Sequence, residues 1–514
     1  MWKKLDKWIL FVPISIVLVL SVLMTVFPQA ATTTIDAVSN FLKYDFGVYY
    51  LIFGLFMLGV LIFMGLSKFG NVKLGKPEDK PMKPLSWAMI VFTSTLAADI
   101  LFYALHEWTY YWNSDISDIA STTTTGQKVL WSSTYPLFHW GATPWAIYIT
   151  LAVCYGFMLY VRQRRDRQRL SEACRPLFGR HVDGAAGKAI DIISIMCLFF
   201  GTSTTFSVAT PLMTNIVCKV FNLPYNLITT VIILVIIAIV YTIAALKGAK
   251  GIALVAKIST ITLGCLLALF FVTGGPKFII ESGFEGLGNM CAHFVQMSTW
   301  TDPIRATSFP QDWTVFYISY WAAWGICNPF FLAKISKGMK IKHVAFGGLA
   351  AGLAGTFMSF IILGGYGMNA QIAGTFDAAG LVAAGATPYE MIVELIFASQ
   401  PTWLAYVMII GLFFAMLGLY ASTFDALTDV MSCFTYKRLD VEDSPGKWIK
   451  ILWAFVFLAF PVALTFLDGT TTLLMAMSVI GAFPVSIIMI FIVISFFKDG
   501  NSYLKEVKLV DAKK

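Results

Sequence analysis

Apolar runs of membrane-crossing length recur along the whole chain. They fall at about 8–27, 48–67, 86–106, 136–161, 189–214, 225–246, 251–273, 313–335, 343–366, 403–433, 450–467 and 470–497. About 20 apolar residues in a helix span about 30 Å of hydrocarbon. Helices are the expected solution, because each satisfies its own backbone where no water can. Composition agrees: 58% of residues are hydrophobic and 13% charged, against about 45–50% and about 25% in soluble domains. The expectation is an all-α polytopic membrane protein with 12 transmembrane helices.

Lys and Arg test the span count. Between the expected helices, 37 basic residues divide unevenly. One set of loops holds Lys3 to Lys7, Lys68 to Lys83, Arg162 to Lys188, Lys247 with Lys250, Lys334 to Lys342, Lys437 to Lys450, and Lys498 onward. The other set holds only Lys43, Lys128, Lys219, Lys277 and Arg305, and Lys257 falls inside a span. The positive-inside rule therefore predicts an inner-membrane protein with both termini cytoplasmic. The net charge of +8 belongs to those loops, so a lipid bilayer rather than nucleic acid is the implied partner. The arginine-rich segment 162–180 reads as an orienting, headgroup-facing loop. The run from Trp8 to Phe27 reads as a retained first helix, although Gln29-Ala30-Ala31 resembles a weak cleavage site. The eight cysteines form no CxxC pair or ligand cluster and read as small packing residues. The segment 274–312 is expected outside, with a helix lying along the surface.

Four constellations could do work inside the membrane. In the eighth span Tyr317, Tyr320, Trp321 and Trp324 share one helix face at i, i+3, i+4 and i+7. Tyr320 to Trp324 lie about 10–16 Å deeper than Trp313 at about 1.5 Å per residue, too deep for an interfacial belt. The fourth span opens with Trp140, Trp145 and Tyr148. Trp140 would face away from Trp145 on an ideal helix, and Pro144 is expected to bend the segment. Together these rings form a cage for a quaternary ammonium, which has no N–H to donate and is recognised by ring faces at about 0.5–2 kcal/mol each. Asp99 lies deep in the third span, where a carboxylate costs about 2.5–3.5 kcal/mol on insertion scales. It reads as the counter-charge to a cationic solute or as a proton site. Finally Ser422, Thr423, Asp425 and Lys257, with Thr95, offer a site for a coupling Na+ or H+ or a fixed charge. Lys257 could instead pair with Asp425 or Asp429, or snorkel to the surface. His139 reads as a buried, hydrogen-bonded packing residue.

The run Phe309-Pro-Gln-Asp-Trp313-Thr-Val-Phe-Tyr317, continuing to Phe331-Leu-Ala-Lys-Ile-Ser-Lys-Gly338, resembles the eighth-span signature of the betaine/choline/carnitine transporter family. Leu137-Phe-His-Trp140, Trp145 and Tyr148 match that family's fourth-span aromatic box. The resemblance implies a leucine-transporter-type core. Spans three to seven (85–274) and eight to twelve (313–497) would form inverted five-helix repeats. The first two spans (1–84), the loop 275–312 and the tail 498–514 would lie outside that core. It further implies a homotrimer, a box of Trp140, Trp145, Tyr148 and Trp321, and Trp324 on the cytoplasmic side of the path. Ile318 and Tyr320 replace two tryptophans common in the family. Phe200-Gly-Thr-Ser203 with Ala209-Thr-Pro-Leu212 resembles the carnitine exchangers, whose positive residue in the seventh span has Ser259 at its place here. Asp99 resembles the choline carriers. The expected activity is secondary transport of a quaternary-ammonium solute, choline favoured, with carnitine, γ-butyrobetaine or betaine as alternatives. A channel or a membrane enzyme would share the twelve spans. An enzyme would also show paired catalytic groups, and none stand out.

Overall fold

The structure is a computed structural model that describes residues 4–94, 98–114, 116, 122–246, 249–464 and 470–511. Thr95 and the side chains of Ser203, Thr204 and Thr205 lie outside the described residues. Among the described residues the elements are helices, joined by two isolated backbone bridges, Leu5 to Tyr436 and Lys73 to Lys340.

Every expected apolar run contains helix, but not always one straight helix. Eight helices are individually long and apolar enough to cross a bilayer, among them Lys7–Val26, Gly47–Leu66, Ile341–Ile372 and Thr402–Thr435. The third expected span is a bent pair, Pro84–Ser94 and the stretch from Ala98 to Asn113, inclined at 67°. The eighth is also divided. A π-helical turn at Pro310–Val315 leads into Phe316–Trp324, and a break at Gly325 precedes Cys327–Ile335. Gly325 sits where an added Cβ would meet Met489 Cε at 2.6 Å, so the break is packed against the last helix, Thr470–Asp511. The helix expected outside the core is present as Pro276–Thr299, with Phe284 and Val295 exposed.

Several loops of the basic set meet one another. On the basic side, Lys437 N donates to Lys4 O at 2.9 Å, Leu439 N to Asp166 O at 2.8 Å, and Leu74 N to Met339 O at 2.8 Å. Arg162 and Arg164 both bind Asp499 of the last helix, at 2.7 and 2.6 Å. The Arg175 guanidinium, helped by Arg167, holds the Asp183 carboxyl well below the usual carboxylate range. In the other set, Lys43 pairs with Asp312 at 2.8 Å and Arg305 donates to Tyr44 O at 2.6 Å. The first helix exposes Phe11, Leu18, Val19, Val22 and Val26, and Leu227–Leu246 exposes Ile228, Ile232 and Ile239. Such outward apolar faces are stable in lipid and costly in water.

Candidate functional site

Two interruptions build the site. In the fourth span, Thr125–His139 ends and Ala142–Gly156 begins after Trp140 and Gly141. The bend expected at Pro144 is therefore at Trp140–Gly141. Pro144 lies in the first turn of the second helix, where its missing N–H deprives no carbonyl of a partner. A Cβ on Gly141 would sit 2.3 Å from Leu137 O, so only glycine fits the corner. The carbonyl of Trp140 accepts a hydrogen bond from Thr356 Oγ1 at 2.9 Å, which satisfies a buried group at the corner. This corner turns Trp140 onto the same space as Trp145 and Tyr148.

The rings then close around Trp321. Its centroid lies 5.5 Å from that of Trp140, 5.3 Å from Trp145 and 4.7 Å from Tyr148. Interplanar angles of 71°, 64° and 53° aim several faces at one volume. Trp145 is seated against Gly352, where a Cβ would fall 2.5 Å from its ring. The indole nitrogens of Trp145, Trp321 and Trp324 are buried and have no hydrogen-bond partner among the described residues.

These residues line a cavity of about 420 Å³ that also touches Asp99, Tyr320, Trp324, Ser422, Thr423 and Asp425. Tyr320 donates its hydroxyl to the Asp99 carboxylate. Two expected members are elsewhere. Tyr317 faces away from the cavity and stacks on His139 at 4.7 Å, because its position on the helix is one turn nearer the crowded aromatic end. Lys257 is exposed on the helix Ala249–Thr273, while its neighbours Ala256 and Thr260 line the cavity. The cation on the acidic pair is Lys450, 2.7 Å from Asp429 and 3.4 Å from Asp425, with Lys334 at 3.9 Å from Asp429. Ser259 is buried against Gly418, a contact with no room for a longer side chain. The Ser422 hydroxyl, at the cavity wall, donates to Leu419 O at 2.9 Å.

His139 is buried with both ring nitrogens partnered, Nδ1 to Tyr111 OH at 2.8 Å and Nε2 to Thr314 Oγ1 at 3.1 Å. Glu107 was not anticipated, since the third run was expected to end at residue 106. It is fully buried, receives the Tyr111 hydroxyl, and accepts the Trp140 indole N–H at 2.8 Å. The signal was present in the aromatic run His106-Glu-Trp-Thr-Tyr-Tyr-Trp112, which is too apolar for an exposed loop.

Residues 8–504 match the profile described as BCCT, betaine/carnitine/choline family transporter. The chain is 26% identical over 488 residues to the glycine betaine transporter OpuD of Bacillus subtilis (strain 168), covering 94% of this chain and 92% of that one. It is 24% identical over 513 residues to the osmo-dependent choline transporter BetT2 of Acinetobacter baylyi (strain ATCC 33305 / BD413 / ADP1), covering 96% and 71%. A solved Na+-coupled sialic acid symporter, in a substrate-bound outward-open state, is similar at TM-score 0.39 and 14% identity over 87% of this chain and 82% of that one. That likeness is too loose to carry structural detail.

Proposed function

Because this chain belongs to the betaine/carnitine/choline family of transporters, we propose that it carries choline, the ammonium held by Trp140, Trp145, Tyr148 and Trp321 and its charge offset by Asp99. That the protein is a multi-pass membrane transporter of quaternary-ammonium solutes, and not an enzyme, follows from the family. The choice of choline rests on one observation: a carboxylate, Asp99, shares the cavity with the four rings. Choline carries a positive charge with no carboxylate of its own. A zwitterion would bring a second anion toward Asp99, and two like charges near each other in low dielectric repel strongly.

A second reading, a betaine or carnitine carrier, is favoured by the indole N–H groups of Trp145, Trp321 and Trp324, which have no acceptor among the described residues and could donate to a solute carboxylate. Transport is secondary and works by alternating access, with the two five-helix repeats rocking about the box. Ser422, Thr423 and Asp425, which border the same cavity, support coupling to a cation, Na+ or H+. The protein resides in the cell membrane as a homotrimer with both termini cytoplasmic.

Uptake of radiolabelled choline into proteoliposomes tests this reading. Choline should compete better than betaine, carnitine or γ-butyrobetaine, and counterflow should saturate. Stronger competition by betaine or carnitine would transfer the assignment to the second reading, and currents of pore size would end the carrier account. Replacing Na+ at fixed pH, and then imposing a pH gradient without Na+, identifies the coupling ion.

A further inference from the structure

Glu107 lies outside the cavity, behind the Trp140 ring. Its surroundings are unusual for a buried carboxylate. It is 0% exposed, and among the described residues no Lys or Arg pairs with it. It is held by donors instead. One oxygen accepts the Trp140 indole N–H at 2.8 Å and the other accepts the Tyr111 hydroxyl. The hydrogen bonds behind it can all point inward. With the Tyr111 proton spent on Glu107, His139 Nδ1–H donates to the Tyr111 oxygen, and Thr314 Oγ1–H donates to His139 Nε2. Each link then supports an anion at the head of the chain. An unpaired buried charge is costly, and a cation beyond the ring offsets that cost.

From this geometry, and resting on the reading that the box holds a quaternary ammonium, we infer that Glu107 is a specificity-determining positioning residue acting through Trp140. It fixes the plane of the indole, and its charge-assisted bond to Nε1–H polarises the ring so that the face turned to the cavity is more negative. Cation–π attraction is electrostatic, and hydrogen-bond chains polarise one another in low dielectric. A solute with net positive charge gains the full benefit. A zwitterion gains less, because its carboxylate is repelled by the same charge.

Four proteins decide the matter: wild type, Glu107→Gln, Trp140→Phe, and the double variant, each purified in detergent and titrated calorimetrically with choline and with glycine betaine. Gln keeps an oxygen to accept the indole proton but removes the charge. The readout is the ratio of choline to betaine affinity, which a general packing defect would not move. Glu107→Gln should lower that ratio by about fivefold, of the order of one cation–π contact. Trp140→Phe, which keeps a ring and loses the N–H, should lower it in the same sense. Adding Glu107→Gln to Trp140→Phe should lower it no further. An unchanged ratio in Glu107→Gln, or the same additional fall when Trp140 is already Phe, overturns the inference while leaving the box intact. Should Glu107→Gln not yield a monodisperse protein, an unchanged ratio in Trp140→Phe overturns it alone. A wild type that binds neither solute overturns the box itself, and Glu107's role with it.

Discussion

At the scale of single residues, the site, on the proposed reading, separates two tasks. Rings supply attraction that needs no proton, and a carboxylate supplies sign. Asp99 is the cleaner test of the second task, because Tyr320 donates to it and an amide oxygen can accept the same proton. Asp99→Asn should therefore leave the fold intact and weaken choline by about tenfold, equivalent to about 1.4 kcal/mol, while changing glycine betaine far less. Equilibrium binding of both solutes checks this, and an equal loss for both would remove the preference for choline. That rings of the fourth and eighth spans meet at one cavity was legible in the sequence, because their spacing and depth exceed what an interfacial belt needs. Tyr317 was misread because helix periodicity gives a shared face but not which part of it meets a cavity. Of the readings open for Lys257, the structure has it exposed, as a snorkelling lysine is, and the cation on Asp425 is Lys450, on a different helix 25 residues along the chain. No local pattern encodes that pairing.

At the scale of elements, corners matter more than helices. The turn at Trp140–Gly141 brings the fourth-span rings together, and Gly352 on the facing helix gives Trp145 its seat. Gly352→Ala would place a methyl 2.5 Å from the indole, an overpacking that costs about 1–3 kcal/mol. The expected result is a folded protein with choline affinity reduced about tenfold, seen by titration, whereas the same change at Gly59, where an added Cβ would meet no other described part of the protein within 4 Å, should leave binding unaffected. The bend was expected at Pro144 because proline is the common cause of a kink. Here the proline starts a helix and the glycine before it makes the turn. Asp499 performs a comparable task near the end of the last helix, accepting from Arg162 Nε at 2.7 Å and Arg164 at 2.6 Å with 11% of its side chain exposed. Asp499→Ala leaves two guanidinium groups without that partner and should lower the thermal midpoint of the purified protein. Charge-assisted bonds of this kind contribute about 1.5–3 kcal/mol each, so an unchanged midpoint would show the clamp to be decorative.

At the scale of the whole molecule, charge alternation was the most informative signal, because it depends on every span at once. In the structure the Lys4, Asp166, Leu439 and Asp499 segments, all from the basic set, bond to one another, while eight helices among the described residues are individually long and apolar enough to cross. Arg169 is the centre of that junction. It is 2% exposed, donates to Tyr436 O at 2.7 Å, and lies 3.3 Å from Asp6 and 3.6 Å from Asp191. It thereby ties the chain start to two long helices. Arg169→Ala would strand two carboxylates and should destabilise the protein by about 3–5 kcal/mol, the usual result of breaking a buried ion pair from one side, with a lowered midpoint in thermal unfolding. An unshifted midpoint would show that junction to be redundant. What the sequence disclosed only through the aromatic run just past the expected end of the third span was Glu107, which contacts Trp140 from behind. Where the methylated nitrogen rests decides what the aromatic box does. A structure of the choline-loaded protein would locate it directly: the prediction is a nitrogen within about 6 Å of the ring centroids of Trp145, Tyr148 and Trp321, and a nitrogen bound away from those three rings would contradict it.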